Sequence, residues 1–172
     1  MRILVTVATR HGATAGLGEE LGTRLYEGLH EHGIEAYVDV IEPGHVESVD
    51  RYDAVVLGSA VYMGRWLEPA RRFAKKHADA LAARPTWLFS SGPIGEPPRP
   101  ADEPADASNL VRAINARGHR VFPGRIDRGA LGLGERAVVR SLHVPDGDFR
   151  DFDAVQAWAL DIAAAIAVEP VA

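Results

Sequence analysis

The chain contains no cysteine, so disulfides, thiolate zinc sites, iron–sulfur clusters and cysteine nucleophiles are all excluded, and any redox chemistry has to come from a bound cofactor. Basic residues are not in excess: 19 Lys and Arg against 24 Asp and Glu give a net charge of −5. Without a concentrated basic face, the chain is not expected to bind nucleic acid. No apolar run reaches the length of a membrane span. The amino-terminal Met1-Arg2-Ile3-Leu4-Val5-Thr6-Val7 soon meets Thr9, Arg10 and His11, which also makes it too short for the core of a signal peptide. A cytoplasmic protein with no integral membrane segment is the simplest expectation. The familiar nucleotide motifs are missing as well: there is no GxxxxGK[ST], and no GxGxxG opens the first helix. His30, His32, His45, His119 and His143 show no metal-ligand spacing.

What is present is a regular alternation of strand and helix patterns. With 172 residues, 47% of them apolar, the chain is expected to form one domain over residues 1–168 with a short tail at 169–172. Residues 2 to 8 are almost continuously apolar, the pattern of a parallel strand covered on both faces. Leu17, Leu21, Leu25 and Leu29 then repeat every four residues, predicting a helix from about Thr14 to His32. Ile34 to Ile41 alternates, as a strand nearer the sheet edge does. Ala54 to Gly58 is a third strand, followed by a helix with Pro69 near its start and His77 on its apolar face. Pro85 to Ser90 is a fourth strand.

The stretch from Gly92 to Pro104 holds Pro93, Pro97, Pro98, Pro100 and Pro104 and reads as a loop, leading into a helix from about Asp106 to Arg117. His119 to Ile126 is a fifth strand despite Pro123. Residues 127 to 148 read as a glycine-rich excursion with one helical turn around Val138. The last helix follows the spacing of Phe152, Val155, Ala159, Ile162 and Ile166, with Asp153 and Gln156 as a capping pair. Five strands alternating with helices predict a doubly wound parallel α/β sheet.

Such sheets bind ligands at the carboxyl ends of their strands. The first of those ends, Thr9-Arg10-His11-Gly12-Ala13-Thr14, supplies hydroxyls and unhindered backbone N–H groups at the start of a helix, where an anion is favoured. The loop alone reads equally well as an ordinary turn in which Thr14 caps and Gly12 turns. Two further loops favour a ligand. Tyr62 and Trp66 follow strand three, and Ser90-Ser91-Gly92 follows strand four, so aromatic and small residues occur where a flat ring would lie beside a phosphate. Arg10 and Arg65 are expected at the rim of that cleft, while Arg71 and Arg72 read as a solvated helix face.

These residues resemble the flavodoxin family. Thr9 to Thr14 is similar to its hydroxyl-rich phosphate loop. Gly58-Ser59-Ala60-Val61-Tyr62-Met63-Gly64-Arg65-Trp66 and Phe73-Ala74-Lys75-Lys76-His77 resemble the branch containing the oxygen-independent protoporphyrinogen dehydrogenases. The resemblance implies a three-layer α/β/α domain with a five-stranded sheet in the order 2-1-3-4-5. It also implies flavin mononucleotide (FMN) as cofactor, with its phosphate on Thr9, Arg10, His11, Gly12, Ala13 and Thr14. The ring would lie between Ser59, Ala60, Val61, Tyr62, Met63, Gly64 and Trp66 on one side and Ser90, Ser91, Gly92 and Pro93 on the other. A deazaflavin would suit the same phosphate loop.

Protoporphyrinogen dehydrogenases carry a long basic and aromatic insert near the fifth strand, whereas Asp127 to Asp148 is glycine-rich with few aromatics. The expected activity is therefore broad, that of an oxidoreductase acting on a small organic or quinone-like substrate, porphyrinogen included. Two alternatives stand beside it: a single-electron carrier serving a redox partner protein, and a cofactor-free binding module, which Ala13 in a donor position leaves open.

Overall fold

The computed structural model describes residues 1–92, 104–127, 129, 131–141 and 147–168. Its centre is a parallel sheet of β1 (Arg2–Ala8), β2 (Tyr37–Ile41), β3 (Ala54–Tyr62), β5 (Thr86–Ser91) and β6 (Gly118–Phe122), ordered β2-β1-β3-β5-β6. Counting only these strands, the order is the expected 2-1-3-4-5. A short strand β4 (Arg65–Trp66) folds back antiparallel on β3, and β7 (Arg125–Ile126) pairs antiparallel with β8 (Gly147–Asp148). No helix among the described residues is long and apolar enough to cross a membrane.

Because side chains alternate across a strand, Ile3, Val5 and Val7 of β1 face one layer while Leu4 and Ala8 face the other. On the first face lie α1 (Ala13–Glu31) and α6 (Phe152–Ala167). Leu17, Leu21, Leu25 and Leu29, spaced at four, are almost fully buried against the sheet. Helix α1 also approaches the sheet unusually closely. A Cβ at Gly18 would stand 2.6 Å from Val7 Cγ2, and one at Gly22 2.6 Å from Val40 Cγ2, so only glycine lets the helix settle at this depth. On the second face lie α2 (Glu68–Lys76), α3 (Ala78–Ala82) and α4 (Ala105–Ala113), packed over Leu4, Val55, Leu57 and Leu88. The result is three layers.

Several boundaries differ from those expected, each for a local reason. Strand two starts at Tyr37 rather than Ile34, because Ile34 N donates to Leu29 O in the turn that ends α1. Strand three runs on through Ser59 to Tyr62 because Ser59 and Ala60 pair with Ser90 and Ser91 of β5, and β4 supplies a hairpin partner for Val61 and Tyr62. The helix after it breaks at His77 into α2 and α3, and α4 stops at Ala113, with Asn115 at a φ of 49° beyond it. Strand five is divided at Pro123-Gly124 into β6 and β7, as proline's missing N–H requires. The segment expected to hold one helical turn contains α5 (Leu133–Ser141). Helix α6 is capped by Asp151, whose carboxylate accepts from Ala154 N at 2.9 Å, and not by Asp153 with Gln156. Gln156 instead donates to Glu20 of α1 at 2.6 Å. The proline-rich stretch at 93–103, including Pro93, lies outside the described residues.

Gly58, in β3, faces the ring of Phe89, which packs against Phe122 and Trp158 with centroids 5.9 and 6.2 Å away. A Cβ at Gly58 would lie 2.2 Å from two of that ring's atoms. Gly58→Ala is therefore expected to destabilise the fold by about 1–3 kcal/mol through overpacking, read from the urea midpoint; an unchanged midpoint would mean the aromatic cluster has slack.

His77 generates a second expectation. Its Nε2 is buried without a hydrogen-bond partner. Burial, reinforced by Lys76 and opposed by Asp50, holds its pKa below the ordinary histidine value. The unfolded chain then takes up this proton more readily than the folded one, so stability is full above the unfolded value and falls as pH drops through it toward the folded value. Urea midpoints should decline as pH falls through and below the ordinary histidine value of about 6.5, and His77→Leu should flatten that decline; an equal slope in the variant contradicts the assignment.

Candidate functional site

The carboxyl ends of β1, β3 and β5 converge on one end of the sheet, and the loop from Thr9 to Gly12 joins β1 to α1 there. Gly12 is the residue at the helix boundary, with a φ of 78°, a left-handed conformation that glycine adopts without strain. Its open surroundings, with nothing within 4 Å of an added Cβ, show that the requirement is conformational. The first turn of α1 has neither a side-chain cap nor an acidic residue. Thr14, which an ordinary turn would use as its cap, lies inside that first turn with its side chain buried. The first intrahelical bond runs from Gly16 N to Gly12 O at 3.3 Å, so the preceding N–H groups of the turn have no helical acceptor. Thr9 Oγ1 is buried beside them without a hydrogen-bond partner. Arg10 and His11 are exposed, and Ala13 is half-buried.

The second wall is the β3–β4 hairpin. Met63 and Gly64 form its two-residue turn with φ values of 50° and 74°, the double positive φ of the turn type that suits strand twist. Tyr62 pairs with Arg65 and Val61 with Trp66. Met63 is 74% exposed at the tip. The Arg10 guanidinium stands 4.7 Å from the centroid of the Tyr62 ring, so a cation–π contact joins the helix-start loop to the hairpin.

Trp66, read from the sequence either as an aromatic beside the ring or as an anchor for the helix that follows, is buried as an anchor is. It is 2% exposed, and its indole N–H donates to Ser90 Oγ at 2.8 Å, while Ser90 Oγ lies 2.8 Å from His119 Nε2. Its backbone N–H donates to Asp106 Oδ2 at 3.2 Å. Trp66 and Ser90 therefore fasten the hairpin to β5, β6 and α4 from beneath. Ser59 braces the hairpin in the same way, its hydroxyl donating to Ala60 O at 2.8 Å and accepting from Leu67 N at 3.0 Å.

The third wall is the end of β5. Ser91 is buried, and Gly92 N donates to Phe122 O at 3.2 Å. A Cβ at Gly92 would come within 2.9 Å of Val61 Cβ, so glycine lets this loop close up against the hairpin. Thr9 to Thr14, Ala60 to Gly64 and Ser91 to Gly92 thus share one end of the sheet, with Tyr62, Met63 and Gly64 on its open side. No group of three or more histidine, aspartate or glutamate side chains suited to a metal occurs among the described residues.

One participant has no signature in the sequence. Arg150 reaches from beyond β8 to α1, where its Nη1 donates to Ala13 O at 3.3 Å. The same guanidinium grips Asp148 through Nε and Nη2 at 2.8 and 2.6 Å and lies 4.9 Å from the Phe152 ring. Hydrogen bonding between them holds the Asp148 carboxyl below its usual range and raises Arg150. This bidentate contact fixes the outer side of the helix start.

Comparison with known proteins bears on the fold and the family. Protoporphyrinogen IX dehydrogenase [quinone] of Escherichia coli strain K12 is 30% identical over 98 residues, 57% of this chain and 52% of that relative, so the chain spans about half the length of the curated relatives it matches. Among solved structures, a flavodoxin from the domain Archaea aligns with a TM-score of 0.61 at 16% identity, covering 96% of this chain and 99% of that one. Flavodoxin 1 from Bacillus cereus aligns with a TM-score of 0.59 at 14% identity, covering 99% and 100%; these likenesses speak to the fold. The family model described as a flavodoxin domain matches residues 4–153, and the chain belongs to that family.

Proposed function

We propose that this chain binds FMN, with the phosphate on the loop from Thr9 to Thr14 and the ring between the Tyr62 hairpin and the Ser91-Gly92 end of β5, and that it works as an oxidoreductase on a small organic or quinone-like molecule. The observation that carries the reading is the unsatisfied start of α1: a first turn without side-chain cap or acidic residue, next to a buried Thr9 hydroxyl with no partner. A phosphate supplies the acceptors and the negative charge that such a turn lacks. The flavodoxin family assignment supports a flavin there.

When bound, the flavin supplies the electron-transfer chemistry. The chain's own residues bind and orient. Backbone N–H groups after Gly12 and the Thr9 hydroxyl hold the phosphate. The Met63-Gly64 turn and Tyr62 present a wall whose position is set by Trp66 and Ser59. Arg10, held over Tyr62, places positive charge at the rim, where it favours a reduced, more negative ring over the oxidised one. That charge, together with the sequence similarity to a quinone-dependent relative, favours an enzyme over a neutral carrier module. The porphyrinogen named in that relative belongs among the substrates to assay.

Three measurements test this. The purified protein is expected to show a flavin visible spectrum, or to acquire one on titration with FMN at micromolar concentration; a colourless protein that fails to bind removes the proposal. Thr9→Val is expected to have opposite effects on two readouts. Replacing an unpartnered buried hydroxyl with a methyl group should leave the flavin-free protein equally or more stable, while FMN binding weakens by about 1–2 kcal/mol; unchanged affinity would mean the hydroxyl does not meet the phosphate. Arg10→Gln should lower the two-electron reduction potential of the bound flavin by about 30 mV, equivalent to about 1.4 kcal/mol, with Arg10→Lys close to the parent. Equal potentials in all three proteins would contradict a rim role for this charge.

A further inference from the structure

Arg71 and Arg72 are neighbours in sequence, yet the fold treats them oppositely. Arg72 has a side chain 76% exposed and is ion-paired with Glu68 one turn earlier, a solvated pair of little consequence. Arg71 is half-buried, and its Nε is shut off from solvent with no hydrogen-bond partner. A guanidinium N–H without an acceptor is costly to bury.

Arg71 lines a cavity of about 360 Å³ between α2 and α4, within the size range of small-molecule sites. Its apolar walls come from Ala74 and Ala78 on one side and Leu110, Ala113 and Ile114 on the other. Its polar groups are mainly donors. Lys75 adds a second cation, and Asn109, whose Oδ1 already accepts from Arg112 at 2.7 Å, has its amide N–H groups left to give. Among the described lining residues the one carboxylate, Asp106, accepts the Trp66 backbone N–H. The two cations outnumber the carboxylate among the described lining residues, beside an apolar cleft.

We propose that this cavity is a binding site for a small apolar monocarboxylate, its carboxylate on Arg71 and Lys75 and its body between Ala78, Leu110 and Ala113. A carboxylate satisfies the planar guanidinium with two acceptors and neutralises the excess charge. A phosphate would bring more charge than the cavity balances and would gain nothing from the apolar walls. The site shares no residue with the loop from Thr9 to Thr14 or with the β3–β4 hairpin, so it does not depend on the flavin proposal.

The probe is 2-naphthoate, titrated calorimetrically into the full chain with and without FMN, beside the neutral 2-naphthamide. One-to-one naphthoate binding is expected, unaffected by FMN and about tenfold weaker for the amide. Arg71→Met should weaken naphthoate about tenfold and leave the amide unchanged, whereas Arg72→Met should alter neither. Should Arg71→Met fail to fold, Ala113→Phe, at an exposed position on α4, fills the cavity from its rim and should abolish binding with the circular dichroism spectrum intact. Naphthoate affinity weaker than about 1 mM, competition with FMN, equal affinity in Arg71→Met, or retained binding in Ala113→Phe would each overturn the proposal.

Discussion

The backbone N–H groups at the start of α1 have no side-chain cap, and the geometry of the surrounding elements depends on how that helix end is placed. Gly12 turns the chain in a left-handed conformation, and the first turn carries no cap and no acidic residue. A helix end of this kind is ordinarily closed by a serine, threonine, aspartate or asparagine, and forgoing that contact costs about 1 kcal/mol. The close seating of Gly18 and Gly22 on Val7 and Val40 fixes where the helix axis points. Its positive end therefore projects at the carboxyl end of β1, flanked by the ends of β3 and β5. The fold thereby directs a fixed dipole at one place.

What surrounds that place is held from behind. Trp66 gives its indole N–H to Ser90 and its backbone N–H to Asp106, and Ser59 bonds the chain on either side of the hairpin. These buried bonds leave Tyr62, Met63 and Gly64 as the presented surface. The contact of Arg10 with Tyr62 and that of Arg150 with Ala13 tie the helix-start loop to the hairpin and to the β8–α6 junction. Polar residues near the cleft are thus divided between those that build its walls and those left to act in it, a division set by burial more than by residue type.

That division explains what could be read from the sequence. The continuous apolar run of β1, the four-residue leucine spacing of α1 and the loop between them lead directly to a parallel α/β sheet and to the helix start, because each is a local pattern, whereas the strand order follows from the family resemblance. The length of β3 is not legible in the same way, since Ser59 and Ala60 are strand through their pairing with β5, and Val61 and Tyr62 only when Arg65-Trp66 turns back onto them. Trp66 reads as a loop aromatic until Ser90, twenty-four positions later, is seen to accept its N–H. Arg150 has no local pattern at all, and its partner Ala13 is 137 positions away. Arg71 and Arg72, about 100° apart around the helix, read alike as solvated from residue type, and the structure separates them, Arg71 against the cavity between α2 and α4 and Arg72 paired in solvent with Glu68. Long-range polar contacts of this sort leave no periodicity.

If the start of α1 is a phosphate site, the comparison that isolates the phosphate is the affinity of FMN against that of riboflavin, the same ring and chain without it. Measured by fluorescence quenching at fixed ionic strength, FMN is predicted to bind at least about a hundredfold more tightly, the equivalent of about two charge-assisted hydrogen bonds. Equal affinities for the two would contradict a phosphate site at this helix start.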